Sequence, residues 1–260
     1  MRIFETHAHL LDTAFDPDRE EILSKMKEKG IQYSVEACCN INQIKPILEL
    51  HEKHPFVLPT AGMHPEEIDA DAIAQLPIIE KAASSNKLHA IGEIGLDYHY
   101  EDMCPKETQK QIFDAQLSIA AQYNLPVIIH DRDAHGDCMD IIKAHKGSIY
   151  GIMHCFSGSW EMAKECLNAG LHLGFGGVIT FKNSKKVKAV LENIPAEGIM
   201  FETDCPYMAP EPFRGQKNDP SLLPYIIKAA ATIRNEDMEY LSEVVFQNSL
   251  NLFGIKNFSS

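Results

Sequence analysis

Residues 90–98 read AIGEIGLDY, and the run 90–95 within it is apolar apart from one carboxylate, Glu93, between Gly92 and Gly95. The length and composition suit a buried strand. A lone carboxylate inside such a strand is costly unless a cation or good donors meet it. The adjacent residues offer no Lys or Arg. The partner of Glu93 has to come from elsewhere in the fold, either as a buried cation or as a metal ion.

Similar strand-like runs occur at 3–6, 33–38, 57–62, 127–129, 150–153, 171–175 and 199–202. Helix-period segments fall between and after them, at 17–29, 44–54, 73–84, 108–123, 137–144, 160–169, 187–193, 221–234 and 238–252. Strands alternating with helices argue for βαβ units and a parallel sheet. About eight units in a chain of this size predict an α/β fold of the (β/α)8 TIM-type barrel class, one domain over residues 1–260. An open doubly wound sheet is the alternative.

The chain has 260 residues, 45% of them hydrophobic, and a formal charge of −13. That charge disfavours a long electrostatic grip on nucleic acid, which depends on many Lys and Arg contacts to phosphate. The start lacks the basic and apolar regions of a secretory leader, and no run of 18 apolar residues suggests a membrane span. Seven cysteines without a C-x-x-C pair fit neither a disulfide framework nor a zinc knuckle. A cytoplasmic protein with no membrane association and no evident obligate protein partner is expected.

A barrel places its chemistry at the carboxyl ends of the strands. His7 and His9, two apart in ETHAHL, share one face of a strand. His64 ends the third run in AGMHPEE. His130 follows PVII, His154 follows GIM, and the last run leads into Glu202 and Asp204 in FETDCP. Each has an ordinary structural explanation on its own, such as a carbonyl-bonded His or an Asp capping a helix. From strands one, four, five, six and eight, four histidines (His7, His9, His130 and His154) and two carboxylates (Glu93 and Asp204) would converge on one rim. Imidazole and carboxylate suit Zn, Mn or Fe, and carboxylate with water suits Mg. The donor count suits two ions about 3.5–4 Å apart better than one.

At these residues the chain resembles the TatD family of metal-dependent deoxyribonucleases, within the amidohydrolase-like barrels. The resemblance rests on His7-x-His9, GMHP, GEIGLDY, IHDRDA, HCFSG and ETDCP, and continues into FRGQKNDP and NSLNLFG. It implies phosphodiester hydrolysis, exonucleolytic and 3'-5' on DNA, with two divalent metal ions. It assigns His7, His9, Glu93 and Asp204 to one ion and Glu93, His130 and His154 to the other, making Glu93 the shared ligand. Two positions depart from the family pattern: Glu5 stands where Asp is usual, and Ala8 where Cys is frequent.

The mechanism that follows uses an ion-activated water attacking phosphorus in line, with Asp204 as the base that takes its proton. Arg132, Arg214 and His64 are the expected substrate contacts. Lys182, Lys185, Lys186 and Lys188 are further cations, better explained as a solvated helix start. A second function keeps the ions but hydrolyses a small ester, lactone, amide or aminoacyl linkage, as the acidic surface would favour. A glycosidase using Glu93 with Glu202 or Asp204 leaves the four histidines without a role. The closely spaced glycines of GFGGV lack dinucleotide-motif spacing, and CFSGS is no nucleophile elbow.

Overall fold

The computed structural model describes residues 1–100 and 103–256. In chain order the elements are β1 (Ile3–Ala8), α1 (Arg19–Glu28), β2 (Ile31–Glu36), α2 (Ile44–Lys53), β3 (Val57–Ala61), α3 (Ala72–Ala83), β4 (Ala90–Asp97) and α4 (Lys106–Tyr123). They continue with β5 (Val127–Arg132), α5 (His135–Ala144), β6 (Gly151–Met153), α6 (Trp160–Asn168), β7 (Leu171–Phe175), α7 (Lys185–Asn193), β8 (Ile199–Phe201), α8 (Leu223–Arg234) and α9 (Met238–Leu252). The strands form one eight-stranded sheet in the order β1 to β8, the (β/α)8 barrel that the alternation predicts. Among the described residues no helix is long and apolar enough to cross a membrane.

Two corrections to the expected strand ends matter. The fourth strand continues two residues past Gly95 to Asp97, and the fifth continues past Ile129 to Arg132. Both extensions bring in charged or polar residues, Asp97 in one and His130–Arg132 in the other, so an apolar-run criterion stops short of them. Ladder pairing carries them on, with Gly95 opposite His130 and Asp97 opposite Arg132.

The backbone groups into two compact units. One comprises Met1–Glu36, Cys155–Lys164 and His172–Ser260. Its core includes Phe4 of β1, stacked on Phe253 at 5.4 Å and meeting the edge of Phe246 at 6.2 Å, so that α9 packs on the first strand. Ala8 bridges Cys205, His9 N–H donates to the Cys205 carbonyl (3.0 Å), and Asp204 N–H donates to the His7 carbonyl (3.0 Å). This pairing extends beyond the ends of β1 and β8 and brings their trailing residues together.

The other unit comprises Ala37–His154 and Glu165–Leu171. Apart from the polar carboxyl ends of β4 and β5 and the buried Glu93, its strands are largely apolar and buried on both faces, as parallel barrel strands are. Two buried glutamines of α4 spaced two turns apart fasten the strand ends. Gln109 accepts from Asp97 N–H (3.0 Å) and donates to the Asp97 carbonyl (3.0 Å). Gln116 does the same for Met63, at 2.7 and 3.1 Å. Each satisfies backbone groups that would otherwise be buried without partners, and so Gln116 fixes the residue before His64 and Gln109 the end of β4.

Candidate metal centre

In the first unit, His7 and His9 project from the end of β1 and meet Asp204, three residues past β8. Their Nε2 atoms lie 3.1 Å apart. Asp204 Oδ1 is 3.4 Å from His9 Nε2 and 3.7 Å from His7 Nε2. Ligands at about 2.0–2.1 Å in a tetrahedron are separated by roughly 3.3–3.4 Å. The three observed separations are of the size that donors around one small cation would have. Asp204 reaches this position from the left-handed backbone region, with φ of 56°.

Two buried glutamates hold this cluster from behind. Glu5 Oε1 accepts from the His7 N–H (3.0 Å) and the Thr203 N–H (2.9 Å), tying β1 to the segment that leads to Asp204. Burial pushes its carboxyl up to about 8, against the lowering effect of Thr203 and the two amides. Its extra methylene, the departure noted in the sequence, is accommodated within a fully buried position. Glu36 accepts from the N–H groups of Leu10 (2.8 Å) and Leu11 (2.9 Å), anchoring the chain just after His9. Burial pushes its carboxyl up to about 7. A third carboxylate, Glu202, accepts from Cys155 N–H at 2.6 Å. It fits because Gly174 has no side chain: a Cβ there would stand 2.4 Å from Glu202 Oε2.

In the second unit, Glu93 is 3% exposed and its Oε1 faces three imidazoles. The distances are 3.1 Å to His130 Nδ1, 3.5 Å to His64 Nε2 and 3.6 Å to His154 Nε2. His130 sits across the ladder from Gly95, whose φ is 146° and where a Cβ would lie 1.9 Å from the His130 carbonyl. The bare backbone lets the two strands close up so that the His130 ring spans Glu93 and Asp97.

Proton bookkeeping separates the roles of these histidines. His130 Nε2 lies 2.9 Å from Asp97 Oδ2, so this nitrogen donates and Nδ1 points its lone pair at Glu93. A lone pair and a carboxylate 3.1 Å apart require a proton or a cation between them. With protons alone, burial opposes the charged ring, but Asp97 and Glu93 push it up to about 10. A divalent ion would replace that proton. His64 is arranged the opposite way. Glu66 N–H donates to its Nδ1 (3.2 Å), so Nε2 carries the hydrogen and is a donor. That suits a phosphate or leaving-group oxygen better than a metal.

The other sequence-predicted contacts fall as follows. Arg132 lies on the rim beside this cluster, its Nη1 4.0 Å from Asp97 Oδ2 and its guanidinium 5.3 Å from the Tyr100 ring centre. Arg214, in the first unit, is exposed and covers the Phe181 ring at 4.3 Å. Among the helix-start lysines, Lys188 donates to the Phe181 carbonyl (2.6 Å), a structural use.

Asp97 was not among the sequence candidates. Its signal was present, since Glu93, Gly95 and Asp97 alternate onto one strand face. Asp97 orients His130 as carboxylates commonly orient metal-ligating histidines. Asp97→Asn is expected to weaken divalent-ion affinity by about 10- to 100-fold, measured by titration of the metal-free protein. Unchanged affinity would make Asp97 merely structural.

The family model described as TatD related DNase matches residues 4–254. The metal-dependent hydrolase YabD of Bacillus subtilis is 38% identical over 254 residues, covering 97% of this chain and 99% of its own. The 3'-5' ssDNA/RNA exonuclease TatD of Salmonella typhimurium is 31% identical, covering 97% and 99%. Among solved structures, the TatD homologue YJJV of Escherichia coli superposes with a TM-score of 0.92 at 28% identity, covering 98% of this chain and 99% of that one.

Proposed function

The chain belongs to the TatD-related DNase family, and from that premise we propose that it is a divalent-metal-dependent phosphodiesterase that trims single-stranded nucleic acid from the 3' end, working as one catalytic domain over residues 1–260. The observation that carries this is the buried Glu93 oxygen facing His130 Nδ1 at 3.1 Å and His154 Nε2 at 3.6 Å, a donor set that suits a divalent cation. His7, His9 and Asp204 would hold one ion, and Glu93, His130 and His154 a second. The family resemblance also gives Glu93 to the first ion. Mg, Mn and Zn all suit these donors. Bound divalent ions would supply charge neutralisation at phosphate and an acidified water.

The chain's own groups do the rest. Asp204 aligns one oxygen with His7 and His9, leaving the other to accept the proton of the attacking water. The His64 Nε2–H donates to a phosphoryl or leaving oxygen. Arg132, at the rim, binds a non-reacting phosphate, and Arg214 is the second substrate cation. The cytoplasmic setting read from the cysteine pattern is part of the same proposal.

The test is an oligonucleotide labelled at either end, incubated with Mg or Mn. Shortening of the single strand from its 3' end that stops with chelator supports the reading. His7→Ala/His9→Ala should lose both bound metal and turnover. Retained cleavage and metal content in that double variant would remove the first cluster from the mechanism. The net charge of −13 favours a second reading, hydrolysis of a small ester or lactone. Turnover of such a compound with intact oligonucleotide would establish it.

A further inference from the structure

Tyr207 is 54% exposed, yet its placement is closely determined. Its ring centre lies 6.1 Å from that of His9, with the planes at 69°. The hydroxyl donates to Asp12 Oδ2 (3.1 Å) and the backbone N–H to the Asp204 carbonyl (2.9 Å). Its carbonyl accepts from Asn218 Nδ2 (2.6 Å). Asn218 is fully buried, donates also to the Thr203 carbonyl (2.8 Å), and gives its backbone N–H to Pro206 (3.1 Å). The loop carrying the ring is thus stitched to the strand end that carries Asp204. A large aromatic surface in water, held at both ends beside a reactive cluster, is preorganised to receive a ligand.

We propose that Tyr207 is a stacking platform for the unpaired nucleobase next to the scissile phosphate. This rests on the phosphodiesterase reading of the His7, His9 and Asp204 cluster and extends it to the substrate's base. A flat ring accepts any base, because every base has a π face, and does so with little sequence preference. It requires an unpaired terminus, since a base inside a duplex already has both faces covered. It also supplies affinity without charge, which an acidic protein needs more than a basic one does. Its contribution should therefore persist as salt is raised, whereas phosphate contacts fade.

The test compares wild type, Tyr207→Phe and Tyr207→Leu with bound divalent metal. One DNA strand carries 2-aminopurine at the terminal nucleotide, and a matched strand carries an abasic sugar there. A terminal phosphorothioate version of each slows cleavage for binding measurements. Wild type and Tyr207→Phe should quench 2-aminopurine fluorescence, and Tyr207→Leu should not. Tyr207→Leu should raise KM for the base-bearing strand by about five- to a hundredfold, with kcat nearly unchanged and no effect on the abasic strand. Equal KM values for Tyr207→Leu and wild type, or an equal loss on both strands, would overturn the proposal. Should Tyr207→Leu fail to fold, quenching by wild type and Tyr207→Phe decides it, and unquenched fluorescence overturns it. A wild type that cleaves neither strand would refute the hydrolase reading instead, leaving the quenching experiment to decide stacking by itself.

Discussion

Replacing Asp204 with Asn is expected to lower kcat by roughly a hundred- to ten-thousandfold while moving the melting temperature by less than about 3 °C. The substitution preserves side-chain size and one oxygen, so a donor can still face His7 and His9 from the position 3.4–3.7 Å away. It removes the oxygen that could take a proton from water, because a neutral amide has no basic atom to replace it. The backbone tolerates the change unusually well. Asp204 has φ of 56°, and Asn is one of the few residues that adopt this left-handed region readily. Its N–H bond to the His7 carbonyl, at 3.0 Å, is a main-chain contact and is untouched. Cleavage of a labelled strand, melting and metal content measured on one preparation separate the outcomes. Full activity would exclude Asp204 as the base. Lost activity with lost metal would make it a ligand above all.

What made the fold legible was the run length of apolar residues. Strands buried on both faces carry no alternation, but their short runs between helix-period segments mark them, and the seventh strand was located to the residue at Leu171–Phe175. The signal fails where a strand turns polar at the rim, as at His130–Arg132 and Asp97, because there the ladder and not burial sustains the strand. The candidate histidines were legible by their place: His130 and His154 end apolar runs, and His7 and His9 share one strand face at the end of the first strand. The groups that orient them were not. Glu36 acts on the N–H groups of Leu10 and Leu11, 26 and 25 residues away in sequence, and nothing local announces that contact. The tautomer of His64 depends on the turn that aims Glu66 N–H at it, and the exposure of Tyr207 depends on a loop tied down by Asn218. The Glu36 and Asn218 contacts are tertiary, and the His64 contact, though local, turns on the geometry of one turn; a few hydrogen bonds carry each, and composition and period do not show them.

Glu93→Gln is the other change with an expected effect of several orders of magnitude, and its metal count is as informative as its rate. Gln keeps the shape of a side chain that fits a 3% exposed position, so the strand should form. It withdraws the negative charge facing His64, His130 and His154, all within 3.6 Å. An amide is a far poorer ligand for a divalent cation than a carboxylate, and the second cluster then keeps only imidazoles. His130 remains oriented by Asp97 at 2.9 Å, so ring disorder would not account for a lost ion. Two stoichiometries are distinguishable by elemental analysis after dialysis. If Glu93 serves both ions, the variant retains neither at concentrations that saturate wild type. If it serves only its own cluster, one ion stays with His7, His9 and Asp204, and the His7→Ala/His9→Ala double change made on top of it removes that one. Turnover should be lost in both cases, since neither half alone supplies both a charged phosphate site and an activated water. An active Glu93→Gln enzyme with a full metal complement would contradict the role of the carboxylate that the sequence placed, conspicuously, in the middle of an apolar strand.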